Sequence, residues 1–196
     1  MQSEAQAPVG NDALEAGLDG GGDGQNDGRV VSLDLYLHSV YEPDCDYVDG
    51  HLQERNMGEF DHGDLQGQLV HLFRSNAEWG VRCVVEVRLQ VKAARFRVPD
   101  VMVLHPGQKK TQIVRDAPLL CIEVLSPEDR WNRLKAKVDD YLALGVQHVW
   151  AFDPPTREAY ICDGSGFHKV STADISIPGT AISLKLADIF SVLDAE

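Results

Sequence analysis

A single acid inside an apolar run constrains this chain more than any other feature. The stretch Leu119-Leu120-Cys121-Ile122-Glu123-Val124-Leu125 is continuously apolar except for Glu123, the pattern of a short strand buried on both faces. A carboxylate placed there is costly unless a cation or hydrogen-bond donors meet it. A second acid, Asp100, lies in another strand-like run, Phe96-Arg97-Val98-Pro99-Asp100-Val101-Met102-Val103-Leu104. Two carboxylates on neighbouring buried strands, with a main-chain carbonyl and waters, suit a hard ion such as Mg²⁺. The structural alternative has Asp100 ending its strand in a turn and Glu123 pairing with a core arginine.

The surrounding pattern is that of one α/β domain. Residues 1–28 carry Glu4, Asp12, Glu15, Asp19, Asp23 and Asp27, no Lys or Arg, and the run Gly20-Gly21-Gly22-Asp23-Gly24. Such a segment has too little apolar surface to offset its ordering entropy. We therefore expect a disordered acidic tail over 1–29 and one folded domain over 30–196. Ser32 is placed to cap a helix reaching about Tyr41. Asp49-Gly50 between Tyr47-Val48 and His51-Leu52 predicts a hairpin whose return strand runs to about Met57. Leu65, Leu69, Leu72 and Phe73 predict a helix to about Glu78, with Asp61 as its N-cap. Strands are expected over 81–91, 95–104 and 118–125, then a helix from about Glu128 to Leu144 closed by Gly145. A strand over Val146–Phe152, a hairpin around Asp163-Gly164-Ser165-Gly166 and a helix over about 185–193 complete the series. Hairpins, strand–helix–strand, then a hairpin make a mixed sheet flanked by helices.

Charge and cysteine usage narrow the function. A net charge of −13 argues against broad electrostatic adhesion to nucleic acid, so any such contact must be local and aided by a metal. The local basic clusters are Lys109 and Lys110, and Arg130, Arg133 and Lys135. The four cysteines are scattered without a CxxC pair and read as reduced core residues. No apolar stretch is long enough to cross a membrane and no signal-peptide core is visible; a soluble, cytoplasmic protein is expected. The seven histidines show no zinc spacing, and no serine sits in a GxSxG elbow.

A phosphoryl-transfer site would need a lysine beside the acids, to orient water or offset phosphate charge. Two residues after Glu123 stands Leu125. The following helix offers Lys135 and Lys137, which flank the apolar stripe of Leu134, Val138, Tyr141 and Leu142 at opposite edges. Periodicity does not choose between them.

Val98-Pro99-Asp100-Val101, then Ile122-Glu123-Val124-Leu125-Ser126-Pro127 with Arg130, Lys137, Tyr141 and Gly145-Val146, then Val149-Trp150-Ala151-Phe152-Asp153-Pro154, resemble the Uma-two family. Those proteins are restriction-endonuclease-like members of the PD-(D/E)XK nuclease superfamily. The resemblance runs from about Tyr47 to the C-terminal hairpin. It implies a restriction-endonuclease-like sheet core flanked by helices, with hairpins towards both ends. It also implies a Mg²⁺-dependent endonuclease acting on DNA, Mn²⁺ being a substitute. Asp100 matches the PD aspartate and Glu123 the second acid. Asp100, Glu123 and the Val124 carbonyl would be the metal ligands. The lysine of the E-x-K position is replaced by Leu125, and the resemblance favours Lys137, one helical step from Tyr141, as its substitute. Asn56-Met57-Gly58-Glu59-Phe60-Asp61-His62 is similar to the region before the family's first long helix and makes Glu59 a further acid; His62 could assist. A homodimer would place two such sites on two DNA strands. The rival expectation, motivated by Leu125 and the acidic charge, is a catalytically inactive nuclease scaffold serving DNA or protein binding.

Overall fold

The computed structural model describes residues 30–41, 44–55, 59–126 and 131–194. The expected tail, Asn56-Met57-Gly58 and the stretch 127–130 with Arg130 lie outside them. Ser32 caps α1 (Leu33–His38) by accepting the Leu35 N–H, which satisfies one of the donors a helix start leaves open. Asp49 and Gly50, at φ of 50° and 96°, turn the hairpin of β1 (Cys45–Val48) and β2 (His51–Glu54). Left-handed backbone at both turn positions is what a tight hairpin needs, and Asp-Gly supplies it.

The next helix, α2 (Phe60–Ser75), starts two residues before the expected position. Glu59 is its N-cap and Asp61 lies in its first turn, where a negative charge favours the helix dipole. A short 3₁₀ turn, Ala77–Trp79, ends at Gly80 in left-handed backbone.

The two strand-like runs that follow are each broken into two strands, a correction to the expected 81–91 and 95–104. The first becomes β3 (Arg82–Val85) and β4 (Leu89–Lys92), with Glu86 at φ 52° in the break. The second becomes β5 (Arg95–Arg97) and β6 (Val101–Leu104). Pro99 sits between them and cannot donate to a ladder. The breaks send the halves to different sheets. The order β2-β1-β5-β4 makes a four-stranded sheet, while β3 and β6 belong to a six-stranded one.

That larger sheet holds β7 (Leu120–Val124), followed by α3 (Trp131–Leu144) and β8 (His148–Asp153), then the hairpin β9 (Glu158–Asp163) and β10 (Gly166–Lys169). Its order is β10-β9-β8-β7-β6-β3, with β7 and β8 parallel and β6 antiparallel to β7. The strand–helix–strand unit is as the sequence pattern implies. A small hairpin, β11 (Asp174–Ser176) with β12 (Ser183–Lys185), precedes α4 (Leu186–Phe190) and a 3₁₀ turn at Ser191–Asp194. Sequence reading left that hairpin out because each strand buries one residue, Ile175 or Leu184, too few to register as a period.

Two apolar layers sandwich the large sheet. Leu65, Leu69 and Phe73 of α2 pack with Ile122, Val124 and Phe152 on one face. Leu134, Val138 and Tyr141 of α3 pack with Met102, Cys121 and Ala151 on the other. Alternation along β7 therefore turns Cys121 and Glu123 towards α3. The four cysteines are buried and not joined in disulfides. Among the described residues, no helix is long and apolar enough to cross a membrane.

Candidate active site

Asp100 lies one residue before β6, in the break that Pro99 makes. The β6–β7 register pairs Val101 with Ile122, so continuing it by one step sets Asp100 beside Glu123. Both carboxylates are 3% exposed. Asp100 Oδ2 accepts the Val124 N–H at 2.7 Å, and the Gln66 side-chain amide donates to the Asp100 carbonyl at 2.8 Å. Those two bonds lock the turn to β7 and to α2. Arg55, just after β2, donates to Asp100 Oδ1, and His62 Nε2 stands 3.6 Å from the same oxygen. Glu123 takes two donors from α3: Lys137 Nζ at 2.6 Å on Oε2 and the Tyr141 hydroxyl at 2.6 Å on Oε1.

Of the two candidate lysines, α3 delivers Lys137 and not Lys135. Lys135 is exposed and pairs with Asp139 on its own helix at 2.6 Å. The reason lies one turn further on, at Asp140. It is buried and bound to Arg95 and Arg97 of β5, and this draws the Lys137 edge of the helix into the protein. Leu125 packs in the apolar layer under α3, and its N–H donates to the Phe152 carbonyl at 2.8 Å. The cation that is absent at position 125 arrives from the helix above.

The two acids have been driven apart electrostatically. Burial raises Asp100, but the facing His62 imidazole and the charges of Lys137 and Arg55 outweigh it and bring it down to about 2. Burial pushes Glu123 up to about 7 and the Asp100 charge adds to it, while Lys137 and Tyr141 only partly offset the rise. Burial alone would lower Lys137, yet Glu123, Asp46 and Asp100 raise it, so it is held as a cation. Arg55 is likewise raised, its burial outweighed by Asp100 and Glu123. Pairs of acids split in this way are a mark of chemistry-bearing sites.

The structure thus brings together Asp100, Glu123, Lys137 and the Val124 peptide. It leaves Glu59 exposed at the head of α2, with no hydrogen bond or ion pair to the two acids among the described residues. Sequence reasoning missed Arg55, for which there was no signal beyond a lone basic residue after a hairpin. It also missed Gln66, although Gln66 follows His62 by one helical step and shares its face. Tyr141 belongs to the apolar stripe of α3, yet its hydroxyl is the second donor to Glu123.

As ligands for a cation, the site offers carboxylate oxygens and no thiolate. Among the described residues no group of three or more His, Cys, Asp and Glu is assembled. A closed zinc-type cage is not what these residues form. A pair of neighbouring buried carboxylates fits an ion that keeps several waters and takes one or two carboxylates, as Mg²⁺ does.

Comparison with known proteins agrees with the fold. Residues 33–183 match the model of the Uma2 family, described as "Putative restriction endonuclease". A crystal structure of "a putative nuclease belonging to DUF820" from Anabaena variabilis is similar at a TM-score of 0.71 and 22% identity, covering 83% of this chain and 99% of that one. The chain has the fold of that protein. A DrdV–DNA complex is matched at a TM-score of 0.35 and 16% identity, over 64% of this chain and 10% of that one, a likeness too slight to build on. No curated protein matches the chain.

Proposed function

This chain belongs to the Uma2 family, and from that premise we propose that it is a Mg²⁺-dependent endonuclease that hydrolyses DNA phosphodiester bonds. The observation that carries the reading is the meeting of two buried acids with one partly buried lysine. Lys137 Nζ lies 2.6 Å from a Glu123 oxygen, while Asp100 is tied to the neighbouring Val124 peptide. Asp100, Glu123 and the Val124 carbonyl would hold the cation, which when bound acidifies a water and stabilises charge on the transferring phosphoryl group.

The side chains divide the remaining work. Lys137 orients the attacking water and offsets charge on the scissile phosphate through its Nζ. Tyr141 fixes the Glu123 carboxylate by its bond to Oε1, leaving little rotational freedom to lose at reaction. Arg55 adds a second fixed cation at Asp100. Glu59, exposed at the head of the helix that brings His62 to Asp100, would supply the acid for a second ion or the base. Water attacks phosphorus directly, and no side chain is acylated or phosphorylated.

The test is cleavage of supercoiled plasmid and of oligonucleotide duplexes with and without Mg²⁺ or Mn²⁺. Metal-dependent cleavage lost in Asp100→Ala and in Glu123→Ala is expected. Full activity in both variants would overturn the assignment. Absence of cleavage in the wild-type protein would favour the inactive scaffold.

A further inference from the structure

An open groove of about 930 Å³ runs along the free edge of β3. The C-terminal end of α2 forms one wall and the loop after β6 the other. Its floor is apolar, with Phe73, Val87 and Val114 among its residues. Its charged lining is wholly basic: Arg74, Arg82 and Lys110, joined by His105, with no Asp or Glu among its described lining residues. In a chain of net charge −13 this is a local reversal of sign, and it selects an anionic occupant.

The groove leads away from the candidate active site. At the helical repeat, His62 and Gln66, which meet Asp100, share a face of α2 with Phe73, and Gly63 and Gly67 lie on the adjoining stripe that ends at Arg74. From His62 to Arg74 the helix rises about 18 Å. Gly63 and Gly67 put no side chain into that surface, and an added Cβ at either would meet nothing. On the strand side, Val85 of β3 pairs with Val101, the neighbour of Asp100, and Val87 already lines the groove. Arg74 is braced by donating to the Cys83 carbonyl at 3.4 Å.

We propose that this groove holds the phosphate backbone of the DNA flanking the scissile bond, about five nucleotides from it at 3.4 Å per phosphate along one strand. The proposal rests on the nuclease reading above and says where the substrate lies. An open, extended concavity with cations on its rim suits a polymer backbone that is gripped by charge and not by base identity.

The experiment is fluorescence anisotropy of a labelled duplex with the full chain in Ca²⁺, together with steady-state cleavage in Mg²⁺. The pairs Arg82→Gln/Lys110→Gln and Arg82→Glu/Lys110→Glu are compared with a charge-matched control, Lys169→Gln/Lys185→Gln, on exposed residues outside the groove. The Gln pair should weaken binding about 10-fold and flatten the slope of log affinity against log salt by about 2. The Glu pair should weaken it further, with KM raised, kcat retained and thermal unfolding unchanged. Trimming the duplex to fewer than about five base pairs on one side of the cut should abolish the difference. Binding equal to wild type in both groove pairs, an equal loss in the control, or no wild-type binding to DNA overturns the proposal. Wild-type protein that binds through the groove but never cuts would defeat the nuclease reading alone. Cutting that is indifferent to both pairs would defeat the groove alone.

Discussion

Two buried ionic clusters hang from α3 about one turn apart, and they resolve their charges differently. In the first, Arg97 donates from Nε to Asp140 at 2.9 Å and from Nη1 to Asp46 at 3.0 Å. Asp46 also accepts the Val98 N–H, and Asp140 is further bound by Arg95. Burial lowers Arg97 but its two acids raise it, and Asp140 is lowered against its own burial. Arg97 and Asp140 are there held ionised by their partners. In the second, Asp100 is held ionised but Glu123 is pushed up to about 7. One acid remains in conflict with its neighbour although it has two donors. A cluster of the first kind is a fastener, since a planar fork satisfies its acids. A cluster of the second kind is a socket, because a further cation would settle what the protein leaves unsettled.

The largest effect that would break this contrast is at Arg97. Arg97→Met takes from buried Asp46 its cation and from Asp140 the more deeply buried of its arginine partners, and urea unfolding should show a loss of about 3–5 kcal/mol. At Lys137 the balance should invert. Lys137→Ala at pH 6 is expected to lose only about 1–2 kcal/mol, because Glu123 can take up a proton instead. Its cleavage rate in Mg²⁺ should fall about 100-fold or more. A Lys137 variant as unstable as the Arg97 variant would make both clusters fasteners.

The pH dependence should separate them next. The folded value of Glu123, about 7, lies above its ordinary 4.5. Its contribution to stability is therefore complete below about 4.5 and is lost as pH rises through about 7. Asp140 is lowered from 3.8, so its contribution is present above about 3.8 and is lost as pH falls through its lower folded value. In chelator, urea midpoints should decline between pH 5 and 8, and Glu123→Gln should remove that decline while leaving the acid limb. The smallest effect is expected at Lys135, whose exposed partner is Asp139: Lys135→Ala should change stability by no more than about 0.5 kcal/mol.

Much of this contrast was legible in the sequence, though unevenly. A carboxylate amid apolar residues marked Glu123, and the Val-Pro-Asp run marked Asp100, because both break a hydrophobic period that burial imposes. The α3 stripe located a lysine to within two positions. The choice between them required Asp140, whose burial depends on Arg95 and Arg97, distant in sequence and brought in by β5. Arg55 and Gln66 were invisible for the same reason: their roles are set by tertiary proximity to Asp100, with no local pattern. The strand breaks at Glu86 and Pro99 were missed because β-branched residues continue on both sides of each. Pro99 carried the signal, but its consequence, a change of sheet, is a matter of topology.

The central claim is that Asp100 and Glu123 share a divalent cation. Calorimetric titration of the full chain with Mn²⁺ tests it most directly. Saturable binding is predicted in the wild type and in Lys135→Ala, and is lost in Asp100→Asn and in Glu123→Gln. No saturable binding in the wild type, or binding unchanged in both acid variants, would contradict it.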